Sequence, residues 1–259
     1  MNRLLSKTEY VIREAMARFK NPATLWSTGK DSTTLLYIFK LMYGKVPIPV
    51  IHIDTGFKFK EIYEFRDRIA KEWDLNLIIA KNPEAKALPS EDRFKCCTER
   101  KTRALQKCIA EHGFDAIFVS IRWDEHGIRG KERYFSPRTR DFRWIMDNQP
   151  VEVWDLYQTE FPDCDHVRVH PLLHWSELDI WKFIKEHNIP VNPLYFSKNG
   201  KRYRSLGCMP CTVPVDSLAK NVDEIIEEIK VSKVAERDGR AQDKEQAYMM
   251  ERLRALGYM

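Results

Sequence analysis

The stretch Ser27-Thr28-Gly29-Lys30-Asp31-Ser32, which we name the polar loop, separates the apolar run 23–26 from the helix-like run 33–43. This order predicts a strand, a tight turn and the start of a helix, whose N–H groups and positive dipole end favour an anion. Gly29 permits close approach of the backbone, Lys30 supplies positive charge, and the serines supply hydroxyl donors. The G-x-x-x-x-G-K-[ST] spacing of a Walker A loop is absent. We therefore predict a phosphate site of another kind, with an ordinary polar-capped turn as the alternative.

Apolar runs alternate with helical patterns along the chain. The predicted strands are 23–26, 50–54, 75–80 and 116–121, and the predicted helices include 59–73, 97–112, 222–236 and 246–256. Residues 149–175 look irregular. This alternation predicts an α/β fold with a doubly wound, mostly parallel sheet and a helical C-terminal appendage. Ligands of such sheets bind at the carboxyl ends of the strands, where the polar loop, Asp54-Thr55-Gly56 and Arg122 would emerge.

Composition narrows the class of protein. The 259 residues include 43 Lys and Arg against 38 Asp and Glu, a net charge of +5. This mild excess is compatible with anionic substrates or nucleic acid and proves neither. No apolar run approaches the roughly 18 residues of a membrane span, and residues 1–20 have the pattern of an amphipathic helix rather than a signal peptide. We expect a cytoplasmic protein without membrane contact, in which clustered cysteines indicate metal or redox chemistry.

Four further segments carry distinctive local sequences. They are His52-Ile53-Asp54-Thr55-Gly56-Phe57-Lys58-Phe59, the pair Arg122-Trp123-Asp124-Glu125 and Arg129-Gly130-Lys131-Glu132-Arg133, and Glu236-Arg237-Asp238-Gly239-Arg240. Together with the S-x-G-x-D-S pattern of the polar loop, they resemble the N-type (PP-loop) ATP pyrophosphatases. The similar branch holds sulfate adenylyltransferase small subunits and the sulfonucleotide reductases of the PAPS reductase family. The resemblance runs from about Asn21 to the C-terminus.

This resemblance implies an adenine nucleotide α-hydrolase-like fold. It divides the chain into an N-terminal helix (1–20), an ATP-binding α/β domain (21–190) and a C-terminal region of helices with a cysteine-containing loop (191–259). The implied reaction is attack by an oxyanion on the α-phosphorus of ATP with release of pyrophosphate. Such a reaction depends on positioning and electrostatics rather than on a covalent nucleophile.

The resemblance also assigns residues to ATP and to the Mg²⁺ that bridges its phosphates. The residues implied to bind the nucleotide are Ser27, Thr28, Gly29, Lys30, Asp31, Ser32, Asp54, Thr55 and Gly56. The residues implied to act on the phosphates and the attacking anion are Lys30, Asp31, Arg122, Arg129, Lys131 and Arg133. Because the charge of Lys30 is expected to face the ligand, we expect Lys30→Ala to lower ATP turnover with little unfolding.

The cysteines distinguish the branches of the family. Cys96-Cys97 with Cys208-Met209-Pro210-Cys211 resembles the [4Fe–4S] ligand set of assimilatory adenylyl-sulfate reductases. That resemblance implies a cluster held by Cys96, Cys97, Cys208 and Cys211, and four thiolates suit such a cluster. Zinc is the alternative, because four cysteines are also a common structural zinc set. We interpret Cys108 and Cys164 as structural.

The chain has no cysteine after Cys211, whereas the reductases carry a nucleophilic cysteine in their C-terminal tail. Sulfonucleotide reduction is therefore not expected. An ATP-activating core with cluster-type cysteines resembles the ATP pyrophosphatase component of bacterial DNA phosphorothioation systems. We favour that function, with a cysteine desulfurase or another sulfur-pathway protein as partner and DNA as candidate acceptor. The alternatives are a sulfate adenylyltransferase small subunit with a GTPase partner, a reductase-like protein and a non-catalytic nucleotide-binding scaffold.

Overall fold

A mostly parallel sheet organises the computed structural model, which describes residues 1–144, 149–237, 239–240 and 249–257. Its strands are Pro22–Leu25 (β1), Val50–Ile53 (β2), Leu77–Ala80 (β3), Ala116–Phe118 (β4), Phe135–Thr139 (β5) and Cys164–Val169 (β6). The order across the sheet is β3-β2-β1-β4-β6-β5, and β5 alone runs antiparallel to its neighbour. The predicted fold class is confirmed.

Helices connect and flank these strands. They are Asn2–Arg18 (α1), Lys30–Tyr43 (α2), Lys60–Glu72 (α3), Arg93–Cys97 (α4), Arg103–His112 (α5), Glu177–His187 (α6), Val222–Val231 (α7) and Met249–Ala255 (α8). A small hairpin pairs Lys201–Arg202 (β7) with Val215–Asp216 (β8). No helix in the described residues is long and apolar enough to cross a membrane.

Local sequence explains where these elements begin and end. Every residue of β1, β2 and β4 is buried, which is why these strands have uninterrupted apolar runs. Helix α5 ends at Gly113, whose φ of 65° a glycine adopts without strain. At the start of α6, Ser176 and Asp179 form a reciprocal capping box.

Three predictions about elements need correction. The predicted irregular segment 149–175 contains β6, which is mostly buried although several of its side chains are polar. The predicted helix 97–112 is instead α4, a π-helical turn over Thr98–Thr102, and α5. The predicted helix 222–236 ends at Val231. Residues 246–248 of the last predicted helix, and Asp238, lie outside the described residues.

Candidate functional site

The carboxyl ends of the central strands open into a cleft of about 970 Å³, counting its open mouth. The polar loop follows β1, Thr55 follows β2, and residues 119–121 follow β4; all three segments line the cleft. The strand order reverses between β1 and β4, the position at which doubly wound sheets bind ligands. Residues from the C-terminal region complete the wall. Of these, Glu236, Arg237 and Arg240 line the cleft, and together with Gly239 they form what we name the C-terminal arm.

Hydrogen bonds within the polar loop hold its hydroxyl groups together at the start of α2. The Ser27 and Ser32 Oγ atoms lie 3.1 Å apart, and the Gly29 N–H donates to Ser27 Oγ at 3.4 Å. The Lys30 N–H donates to the Tyr195 hydroxyl at 2.9 Å. A Cβ at Gly29 would lie 3.2 Å from Ser27 Oγ, so the absence of a side chain there keeps the loop tight.

An ion network joins the polar loop to the C-terminal arm. The Lys30 ammonium donates to Asp31 at 3.0 Å and to Glu236. The Arg122 guanidinium donates to Asp31 and Glu236 and to Asp124 at 2.9 Å. The side chains of Lys30 and Arg122 are 1% and 0% exposed. Burial opposes ionisation of Glu236, yet the two cations lower its pKa to about 2. Glu236 is therefore a carboxylate at neutral pH.

A second positive region lies on the cleft wall around Lys58, Lys101 and Arg240. Burial, with a smaller effect of the nearby charges of Lys101 and Arg240, lowers the pKa of Lys58 to about 8, while Cys208 acts in the opposite direction. Arg240 donates to the Leu206 carbonyl at 2.5 Å. Clustered cations in a partly enclosed site favour anions, so this wall and the polar loop together offer two places for negative charge.

The four predicted metal-binding cysteines lie around one small cavity beside the cleft, which we name the cysteine cavity. Thr55 and Lys101 line both spaces. Burial raises the pKa of Cys96 to about 11. Burial would also raise the pKa of Cys208, but Lys101 and Lys58 lower it to about 7.

The donor set suits a thiophilic metal group, because four thiols converge on one cavity. Nevertheless, no set of three or more His, Cys, Asp or Glu side chains in the described residues is arranged to hold a metal ion. The cysteines therefore have the chemistry and the grouping of metal ligands. Within the described ranges, however, their positions do not form a site for a metal ion.

Several predicted site residues contact other parts of the protein instead of lining the cleft. The Thr28 hydroxyl donates to the Ser27 carbonyl at 2.6 Å. Asp54 accepts from the Gly56 N–H and the Tyr63 hydroxyl, both at 2.8 Å, and so shapes the turn after β2. Lys131 lies 3.7 Å from Glu251, and Arg133 donates to the Pro150 carbonyl. The structure thus places Arg129 on the cleft wall and Arg122 in the ion network with Asp31 and Glu236, whereas neither Lys131 nor Arg133 lines the cleft.

Other cleft residues were not predicted as site residues. Tyr195 lies outside the quoted segments, whereas Glu125 and Glu236 lie within them but were assigned no role. Glu125 accepts from Arg237 at 3.1 Å and also pairs with Arg129, so it fixes two cations of the wall. Glu236 stands 206 residues from its partner Lys30. Only its place in a segment resembling the ATP pyrophosphatases could have pointed to it.

The sequence of this α/β domain matches a known family model. Residues 21–214 match the model described as "Phosphoadenosine phosphosulfate reductase domain". The chain belongs to this family. A relative from Zymomonas mobilis named "Sulfate adenylyltransferase subunit 2" is 39% identical, with 100% of this chain and 97% of that protein covered. A relative of the same name from Pseudoalteromonas translucida is 37% identical and covers 100% and 98%.

Solved structures support the same fold. The phosphoadenylyl-sulfate reductase of Candida auris, in a phosphate complex, has a TM-score of 0.58 at 18% identity, covering 80% of this chain and 90% of that one. Candida glabrata FMN adenylyltransferase with ATP has a TM-score of 0.58 at 20% identity, covering 82% and 62%. The predicted family resemblance is confirmed, and the protein is a nucleotide-processing enzyme of this family.

Proposed function

We propose that the protein cleaves ATP between its α- and β-phosphates and transfers the adenylyl group to sulfate. As the acceptor we prefer sulfate to the DNA phosphate that the cysteine motif favours. The reason is that relatives aligned over the whole chain bear the name sulfate adenylyltransferase subunit 2. The observation that carries the proposal is a single cleft with a polar loop at a helix start and a separate cationic wall.

The polar loop suits the outer phosphates of ATP. The start of α2, the hydroxyls of Ser27 and Ser32, and the cations Lys30 and Arg122 are donors typical of phosphate sites. Mg²⁺ bound with ATP would supply further charge neutralisation on the triphosphate. Positive charge held at this end of the cleft would stabilise the pyrophosphate as it leaves.

The cationic wall suits the acceptor. Sulfate is fully ionised at neutral pH, so it needs no general base to become a nucleophile. Lys58, Lys101 and Arg240 would hold one of its oxygens towards the α-phosphorus while the polar loop holds the leaving group on the other side. Fixing both reactants in this order supplies much of the acceleration expected for such a transfer.

The test is to supply Mg²⁺, ATP and sulfate and to measure pyrophosphate and adenylyl sulfate separately. The relatives are named as a subunit, so the assay is run with and without a partner subunit; the resemblance implies a GTPase, so GTP is included. We expect Ser27→Ala and Ser32→Ala to reduce pyrophosphate release at least tenfold. Ser197→Ala, which removes a hydroxyl bonded to the Ser217 carbonyl, is the matched control. Release of orthophosphate alone contradicts the proposal.

The cysteine cavity favours a second candidate function, in which the activated oxyanion is a DNA phosphate that receives sulfur from a cysteine desulfurase partner. A bound [4Fe–4S] cluster would supply redox-active iron beside the cleft, whereas zinc would act only as a structural clip. Iron and zinc are counted in anaerobically purified protein, with Cys97→Ser as the test variant and Cys108→Ser as the control. About four irons per chain and DNA-dependent pyrophosphate release would favour this candidate over sulfate.

A further inference from the structure

Oxygens of the protein itself accept hydrogen bonds from Lys30 of the polar loop and from Arg122 beside it. The Tyr195 hydroxyl accepts the Lys30 backbone N–H. The Glu236 carboxylate accepts from the side chains of Lys30 and Arg122, one oxygen for each cation. A backbone N–H at a helix start, an ammonium and a guanidinium are the donors that hold phosphate in proteins. Glu236 is therefore bound as a phosphate oxygen pair would be.

The charges around Glu236 determine what an incoming phosphate would meet. Lys30 and Arg122 are balanced by Asp31 and Glu236, and the Glu236 side chain is only 6% exposed. A phosphate on the same two cations would lie within a few ångströms of the Glu236 carboxylate. Like charges repel strongly at that distance in a buried site. The same donors cannot hold both anions.

The geometry points to Glu236 as an internal competitor for phosphate, whose carboxylate holds Lys30 and Arg122 in the free protein and leaves when triphosphate binds. This inference rests on the proposed function for the identity of the ligand and adds a competing group to it. This displacement requires no movement of a helix, because Glu236 lies beyond the end of α7 in a turn. Its neighbours on the C-terminal arm remain anchored, Arg237 on Glu125 and Arg240 on Leu206.

The test is calorimetric titration of pyrophosphate into the full chain and its Glu236→Gln variant. The amide preserves the shape of the side chain and removes its charge, so competition predicts a Kd about tenfold lower in the variant. Glu228→Gln is the matched control, because Glu228 also binds an arginine, Arg202, but away from the cleft. Its Kd should match the wild-type value. An unchanged or higher Kd in Glu236→Gln overturns the inference and makes Glu236 a positioning residue.

Thermal unfolding is a second measurement, and it remains informative if Glu236→Gln is less stable than wild type. Without ligand, Glu236→Gln should melt below wild type because Lys30 and Arg122 lose a buried partner. With saturating pyrophosphate this difference in melting temperature should narrow; a difference that stays the same or widens contradicts competition.

If wild type binds pyrophosphate and Ser27→Ala weakens that binding, the phosphate site stands even where Glu236→Gln fails to tighten it. Absence of binding by both wild type and Glu236→Gln overturns the site and the competitor together.

Discussion

The Thr55 hydroxyl lies 3.2 Å from the Cys208 sulfur. Thr55 follows β2 at the sheet edge, and it lines both the cleft and the cysteine cavity. Two spaces that are assembled from distant parts of the chain therefore share wall residues, Thr55 and Lys101. A change at one space reaches the other through these side chains.

Thr55→Val should raise the pKa of the Cys208 thiol. The wild-type pKa is about 7: Lys101 and Lys58 lower it against burial, and the hydrogen bond from Thr55 adds to their effect. The pH dependence of Cys208 alkylation in metal-free protein, resolved by mass spectrometry, measures the change. The midpoint should move upward from near 7. Thr212→Val is the control, because that hydroxyl bonds the Cys208 carbonyl rather than its sulfur.

Acid should remove a contribution of Glu236 to stability. Its pKa is about 2 in the folded protein against an ordinary value of 4.5, so the ionised form is favoured by folding. The contribution is complete above pH 4.5 and is lost as the pH falls from 4.5 towards 2; it is on the order of 3 kcal/mol. Denaturant unfolding at a series of pH values should show this slope in wild type. An equal slope in Glu236→Gln would contradict the assignment.

Lys30→Ala should unfold more readily than wild type, contrary to the expectation from sequence alone. The ammonium is buried and paired with Asp31 and Glu236, so its removal leaves two carboxylates on the single cation Arg122 and should cost about 3 kcal/mol. Equilibrium denaturation measures this loss. The double variant Lys30→Met with Glu236→Gln should recover much of the stability but not ATP turnover. If Lys30→Ala were as stable as wild type, the Lys30 ammonium would not stabilise the ion network.

Gly239→Ala should destabilise the C-terminal arm. The added Cβ would lie 2.4 Å from the Val213 carbonyl oxygen, a backbone atom that cannot move aside cheaply. We expect a loss of about 2 kcal/mol or more and weaker binding of the acceptor anion as Arg240 shifts. Gly130→Ala is the matched control, because its Cβ meets nothing within 4 Å. Equal stability of the two variants, measured by denaturant unfolding, would contradict this account of the arm.

Local sequence predicted the parallel strands and the polar loop because short apolar runs buried on both faces leave a clear signal. It missed β6 because His166 and Arg168 interrupt the apolar pattern. Both side chains are buried. His166 bonds its neighbour Asp165, whereas Arg168 donates to the carbonyl of Gly257, 89 residues away. The burial of Arg168 can be understood only when that distant partner is in place.

The candidate site likewise contains residues that the sequence could predict and residues that it could not. The polar loop carries its chemistry in adjacent residues and could be predicted, whereas the two distant cysteine pairs were grouped by the resemblance to adenylyl-sulfate reductases. The ion network depends on Glu236 meeting Lys30 across most of the chain, and no spacing rule anticipates that contact. The resemblance grouped Lys131 and Arg133 with Arg129, but Gly127–Lys131 forms a 3-10 helix, in which nearby side chains face different directions.

The π-helical turn over Thr98–Thr102 determines how far α4 is rotated about its axis relative to α5. A residue deleted from this turn would rotate α4 by about 100° relative to α5. Cys96 and Cys97 would then face away from Cys208, while the sheet and the polar loop stayed intact. Insertions and deletions at this one turn thus provide a route by which homologous chains could gain or lose the cysteine cavity without altering nucleotide chemistry.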